Sequence, residues 1–175
     1  MKKNIFYKAA LCFTAALLFS NIQQADACTR VVYKGTNQTI ITARSMDWKH
    51  EIDANLWIFP RGMERSGNVG KSSVKWNSKY GSVIASAWDI ATTDGINEKG
   101  LVANVLWLVE SEYPKFDPKA SKQGLTISAW AQYVLDNYAS VKEAVQDLEK
   151  ESFVIVSDFI PGTDQFTTLH LSISD

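Results

Sequence analysis

Hydrophobic spacing divides this chain into an apolar leader, a strand-rich stretch, two helices and a closing pair of strands. Ala9 to Phe19 is an apolar run behind Lys2, Lys3 and Lys8, followed by the polar stretch Asn21 to Ala27. Cys28 to Lys34 (Val31, Val32, Tyr33) and Thr39 to Arg44 are β-rich runs around the turn Gly35-Thr36-Asn37-Gln38. That pattern predicts a hairpin that returns Arg44 beside Cys28. Asn55 to Pro60, Tyr80 to Trp88 and Leu101 to Leu108 read as further strands, and Arg61 to Lys79 and Glu110 to Gln123 as loops. The stretch Asp94-Gly95-Ile96-Asn97-Glu98-Lys99-Gly100 carries turn chemistry at both ends. Ile127, Trp130, Ala131, Val134, Leu135 and Tyr138 then recur at helical spacing. Val141, Ala144, Val145 and Leu148 repeat the pattern, with Ser140 and Glu143 as a capping box. Phe153 to Val156 and Thr167 to Ile173 return to strand spacing. Strands and helices that come in groups predict an α+β fold rather than an alternating parallel one. The chain stops at Asp175 directly after a strand, so the sequence is expected to be incomplete at its C-terminus.

The leader changes how the rest is read. A basic start, a short apolar centre and small residues at Ala25 and Ala27 form a bacterial export signal over residues 1–27, too short for a membrane span. The mature part is then residues 28–175, a single domain, with a periplasmic or secreted destination. Hydrophobic residues make up 46% and charged residues 21% of the chain, which suits a globular domain. A net charge of −1 gives no basic surplus to attract nucleic acid. All six tryptophans fall after residue 27, as a large aromatic core or an apolar pocket requires.

Of the two cysteines, Cys12 lies inside the leader, so Cys28 would be the lone thiol of an exported protein. Cleavage after Ala27 would give Cys28 a free α-amino group, placing a nucleophile and a base on one residue. Two other readings stay open: a lipid-anchored cysteine, although Ala25 and Asp26 fit a lipobox poorly, and an inert buried thiol. Arg44 and Asp47, in Ala43-Arg44-Ser45-Met46-Asp47-Trp48, fall at the end of the hairpin. An arginine beside a thiol favours the thiolate, and a carboxylate can hold an α-amino group. A surface ion pair is the plainer alternative. His50 and His170 lie far apart and neither sits in a metal motif.

Cys28-Thr29-Arg30, Ala43-Arg44-Ser45-Met46-Asp47-Trp48 and Asp94-Gly95-Ile96-Asn97-Glu98-Lys99-Gly100-Leu101 together resemble the choloylglycine hydrolase family, which contains bile salt hydrolases and penicillin V acylases. The resemblance implies an N-terminal-nucleophile hydrolase αββα sandwich that cleaves linear amide C–N bonds without a cofactor or metal. It implies Cys28 as nucleophile, Arg44 and Asp47 as its partners, and Trp107 as a substrate-binding aromatic. An aromatic at Trp107 leans away from bile salts and toward aryl- or fatty-acyl amides; a core role for Trp107 and either face for Asn104 remain open. The family's further oxyanion Asn and catalytic Arg lie beyond Asp175. The implied partner is a small N-acyl amide, and the implied assembly of a full-length form is a homotetramer. The rival readings are a lipid-anchored or soluble binding protein and an inactive truncated relative.

Overall fold

The computed structural model describes residues 28–175; the expected signal peptide lies outside the described residues. The first hairpin pairs β1 (Thr29–Lys34) with β2 (Ile40–Ser45), Arg30 opposite Arg44. The central sheet has five antiparallel strands in the order β11-β8-β7-β6-β3, where β3 is Asn55–Phe59, β6 Ser82–Ala87, β7 Ala91–Asn97, β8 Val102–Trp107 and β11 Leu169–Ser174. A small hairpin joins β4 (Glu64–Ser66) to β5 (Lys75–Asn77), and β9 (Gln123–Thr126) runs parallel to β10 (Phe153–Val156). The helices are α1 (Trp130–Asn137), entered through a 3-10 turn at Ile127–Ala129, and α2 (Val141–Leu148).

Strand alternation gives the sheet two unlike faces. Ile84, Ala103 and Val105 point toward the helices and pack with Ala131, Val134, Leu135 and Tyr138. The opposite face carries Asp94, Asn104 and Ser174 and meets the first hairpin through side chains. The described layers are thus helix, sheet and hairpin. The Ser140 cap forms, its Oγ accepting from Glu143 N–H at 3.2 Å, while the Glu143 carboxylate accepts from Ala139 N–H at 2.8 Å, one residue before the N–H a capping box uses.

Several stretches differ from the sequence reading, among them β9, where no strand was expected. The loop expected over 61–79 contains β4 and β5, too short to show a strand period. They are held from outside by the fully buried Asp136, which accepts from Trp76 Nε1 at 2.8 Å and faces Arg65 at 3.5 Å. Burial pushes the Asp136 carboxyl above its ordinary range. The stretch from Asp94 is a strand as far as Asn97 and turns only at 98–100, closed by a bond from Gly100 N–H to Asn97 O at 2.9 Å.

That stretch does a different task at each residue. At Gly95 an added Cβ would lie 2.5 Å from Leu135 Cδ1 and 2.7 Å from Ile84 Cγ2, so only glycine lets α1 sit this close. Asn97 is buried; its amide donates to Leu135 O at 2.9 Å and Tyr138 O at 2.8 Å, covering helix-end carbonyls. Its oxygen accepts from Lys99 and Leu101 N–H and shapes the turn. Gly100 takes a φ of +87°.

Gly95→Ala is expected to destabilise the protein by about 1–3 kcal/mol through overpacking, measured as a lower urea midpoint at unchanged slope. A second outcome concerns acid. Hydrogen bonds from Arg61, then Gly81 N–H, hold the Glu98 carboxyl at about 2, down from 4.5. A depressed carboxyl stabilises the fold above its unfolded value and loses that contribution as pH falls from 4.5 toward 2. Glu98→Gln should therefore flatten stability against pH across that window. The pair is exposed, so the difference should be small and shrink further in high salt.

Candidate active site

Cys28 is the first described residue, half-buried at the entry to β1. The β1–β2 register sets Thr29 opposite Ser45 and Arg30 opposite Arg44, so the hairpin does return Arg44 to the thiol's neighbourhood. Cys28 and Arg44 line one cavity of about 170 Å3. Its remaining wall is mostly apolar: Met46, Trp48, Ile52, Trp88, Trp107, Phe159 and Leu169.

Arg44 is 8% exposed and held from two sides. Its Nε lies 2.7 Å from Asp94 Oδ1, and its second terminal nitrogen donates to Val105 O at 2.5 Å. The Nε–Asp94 contact is an ion pair off hydrogen-bond alignment, since that N–H has no aligned acceptor. Asp94 also accepts from Asn104 Nδ2 at 2.8 Å, and Asn104 Oδ1 accepts from Arg30 Nε at 2.7 Å. Arg30 reaches on to Ser174 Oγ at 2.7 Å, and the Thr42 and Ser174 hydroxyls share a hydrogen bond of 2.7 Å. Burial holds the Arg30 guanidinium below its ordinary range.

Asn104, whose face the sequence left open, therefore points to the hairpin and is buried. Trp107 points into the cavity beside Cys28. Asp47 is exposed and lies outside the cavity wall; it accepts from Ser45 Oγ at 2.9 Å, and Ser45 Oγ accepts from Thr29 N–H at 3.4 Å. The Asp47 carboxylate is thus linked through one hydroxyl to the backbone next to Cys28.

Sequence reading missed two partners. Asp94 stands in a quoted motif, but nothing in its local pattern shows that it meets Arg44 across the fold. Trp48 directly follows Asp47; its ring centroid is 5.0 Å from that of Trp107, tilted at 52°. The Trp48 indole N–H is buried with no acceptor. Among the described residues no group of three or more His, Cys, Asp or Glu could hold a metal ion, and no helix is long and apolar enough to cross a membrane.

Residues 28–175 match the family model described as linear amide C–N hydrolases, choloylglycine hydrolase family. The chain belongs to the choloylglycine hydrolase family. Among curated relatives, a penicillin V acylase of Pectobacterium atrosepticum is 57% identical over 85% of this chain and 42% of its own length. A bile salt hydrolase/transferase of Clostridium perfringens is 28% identical over 85% of this chain and 45% of its own. A solved penicillin V acylase from Agrobacterium tumefaciens is 62% identical with a TM-score of 0.75, covering 83% of this chain and 43% of that one. A conjugated bile acid hydrolase variant from Clostridium perfringens is 25% identical with a TM-score of 0.67, covering 85% and 45%. The chain thus spans less than half the length of these relatives. The fold is that of the family, the N-terminal-nucleophile hydrolase fold expected from the motifs.

Asp94→Ala would leave a buried guanidinium without its anion, at a cost of about 3 kcal/mol. Asp47→Ala, at an exposed carboxylate, should cost within about 0.5 kcal/mol. Denaturant unfolding of the two variants checks the order; equal losses would contradict this description of the seam.

Proposed function

We propose that this protein is an exported amidase that cleaves linear amides through Cys28, closer in substrate to penicillin V acylases than to bile salt hydrolases. The observation that carries the reading is the placement of one thiol and one guanidinium in a mostly apolar cavity with paired tryptophans. The cavity volume of about 170 Å3 supports a single-ring acyl group: an apolar cavity of roughly 150 Å3 accepts benzene. A phenoxyacetyl group, the acyl part of penicillin V, offers one such ring, whereas a fused steroid needs several times that space. The identity of 57% to a penicillin V acylase against 28% to a bile salt hydrolase/transferase points the same way.

Removal of residues 1–27 in the periplasm or during secretion leaves residues 28–175 with Cys28 at the amino terminus. The α-amino group takes the thiol proton as sulfur bonds to the amide carbon. The tetrahedral intermediate collapses, the C–N bond breaks, and that proton goes to the leaving amine. Water, deprotonated by the Cys28 α-amino group, then attacks the thioester carbon; the C–S bond breaks, the carboxylic acid leaves, and the proton returns to sulfur. Asp47, through Ser45, holds the strand start, and Arg44 supplies positive charge in the cavity. Trp48 and Trp107 hold the acyl ring, with the unpaired Trp48 N–H free to donate to an acyl oxygen. A full-length form would assemble as a homotetramer around a small N-acyl amide.

N-terminal sequencing of the exported protein should begin Cys-Thr-Arg-Val. Penicillin V hydrolysis should vanish in Cys28→Ser and fall by roughly 10²–10⁴-fold when the α-amine is acetylated. Below the ordinary α-amine range of about 7.7–8.0, kcat/KM should decline as that base protonates. A blocked amine with full turnover would sink the mechanism, and a lipid mass increment on Cys28 would favour an anchored binding protein.

A further inference from the structure

The cavity wall opposite the hairpin is built by a turn in an unfavourable conformation. Trp88 and Asp89 link β6 to β7 with φ of 52° and 51°, and Ile90 N–H closes on Ala87 O at 3.0 Å. A pair of left-handed residues is what a type I′ hairpin turn requires, and Asn-Gly or Gly-Gly normally supply it. Tryptophan in that region is an outlier, and such outliers persist only where surrounding contacts over-determine them. Immediately before the turn the β6–β7 register slips between Ala85 and Ser86, a bulge of the kind that re-aims side chains beside sites. Both irregularities serve one surface: Ala87, Trp88, Ile90 and Thr93 all line the Cys28 cavity.

The over-determining contacts converge on one atom. Asp89 Oδ1 accepts from Asn55 Nδ2 at 3.0 Å, Trp57 Nε1 at 3.0 Å and Ser86 Oγ at 2.9 Å. Trp88 N–H adds a bond to Ile52 O at 2.7 Å. The donors come from the edge strand and from the strand entering the turn, so the carboxylate ties the turn to two fixed elements. Asp89 itself is outside the wall of the Cys28 cavity; Trp88, its neighbour, is part of it.

We propose that Asp89 is a positioning residue for the cavity, its carboxylate clamping the Trp88–Asp89 turn so that Trp88 forms a fixed wall against the acyl ring. This rests on the reading of that cavity as the acyl site. The donors from Trp57, Asn55 and Ser86 hold the Asp89 carboxyl below its ordinary range, so the clamp is ionised at neutral pH.

Substitutions separate clamping from mere tolerance of a left-handed φ. Glycine accepts the φ but offers no acceptor; asparagine accepts it and keeps one carbonyl oxygen in the Oδ1 position. The chain is labelled with fluorotryptophan, and the Trp88 resonance is assigned by its loss in Trp88→Phe. Asp89→Gly should shift or broaden the Trp88 signal and weaken phenoxyacetate binding by roughly three- to tenfold, the scale of one misplaced aromatic contact. Asp89→Asn should keep both near their original values. Should Asp89→Gly fail to fold, Trp57→Phe, which removes one donor of three, should move the Trp88 signal in the same direction by less. An unmoved Trp88 signal in Asp89→Gly, or in Trp57→Phe where that variant takes its place, overturns the clamp. If phenoxyacetate does not bind the unsubstituted chain, the acyl-site reading fails, and the Trp88 signal alone still decides the clamp.

Discussion

The hairpin that carries Cys28 shares no backbone ladder with the sheet beneath it among the described residues, so side chains alone hold it there. Arg44 spans from the hairpin to Asp94 and Val105 O, and Arg30 spans to Asn104 and Ser174. Asn104 and Asp94 are bonded to each other, which closes the seam into a chain of four side chains. Each buried charge therefore has a partner or a carbonyl, the condition under which charge can be taken out of water without a large penalty. A seam of this kind fixes direction as well as contact. An apolar interface would let the hairpin slide, while two guanidinium groups with fixed acceptors set one register.

The stretch Asp94 to Gly100 shows how a short run can serve several layers. Asp94 faces the hairpin, Gly95 admits the helix, and Asn97 covers helix-end carbonyls while shaping its own turn. Glu98 reaches sideways to Arg61 and Gly81 N–H. Hairpin, helix and sheet thus all refer to one strand end. The cavity then forms where the hairpin start, the end of β8 and the β6–β7 turn come together.

That cavity draws its thiol and its aromatic side chains from different elements. The thiol and guanidinium arrive on the hairpin, and the aromatic wall arrives from loops and strand ends of the sheet. Asp94 takes up part of the same guanidinium, so the seam and the cavity wall share one arginine. The fold and the site are coupled at that residue.

Much of this was legible from residues alone. β-rich runs around Gly35–Gln38 specified the hairpin, and i, i+3, i+4 spacing specified both helices, because local composition, periodicity and turn chemistry need no distant partner. The quoted motifs pointed to the family, and the register of one hairpin was enough to bring Arg44 back toward Cys28. The strands β4 and β5 were invisible, since three residues are too few to show a period and depend on buried Asp136 for support. The face taken by Asn104, the pairing of Arg44 with Asp94, the meeting of Trp48 with Trp107 and the strained Trp88–Asp89 turn belong to tertiary structure. Each joins residues far apart in sequence or a conformation held from outside, and a local pattern carries no information about which distant atom will satisfy a buried charge.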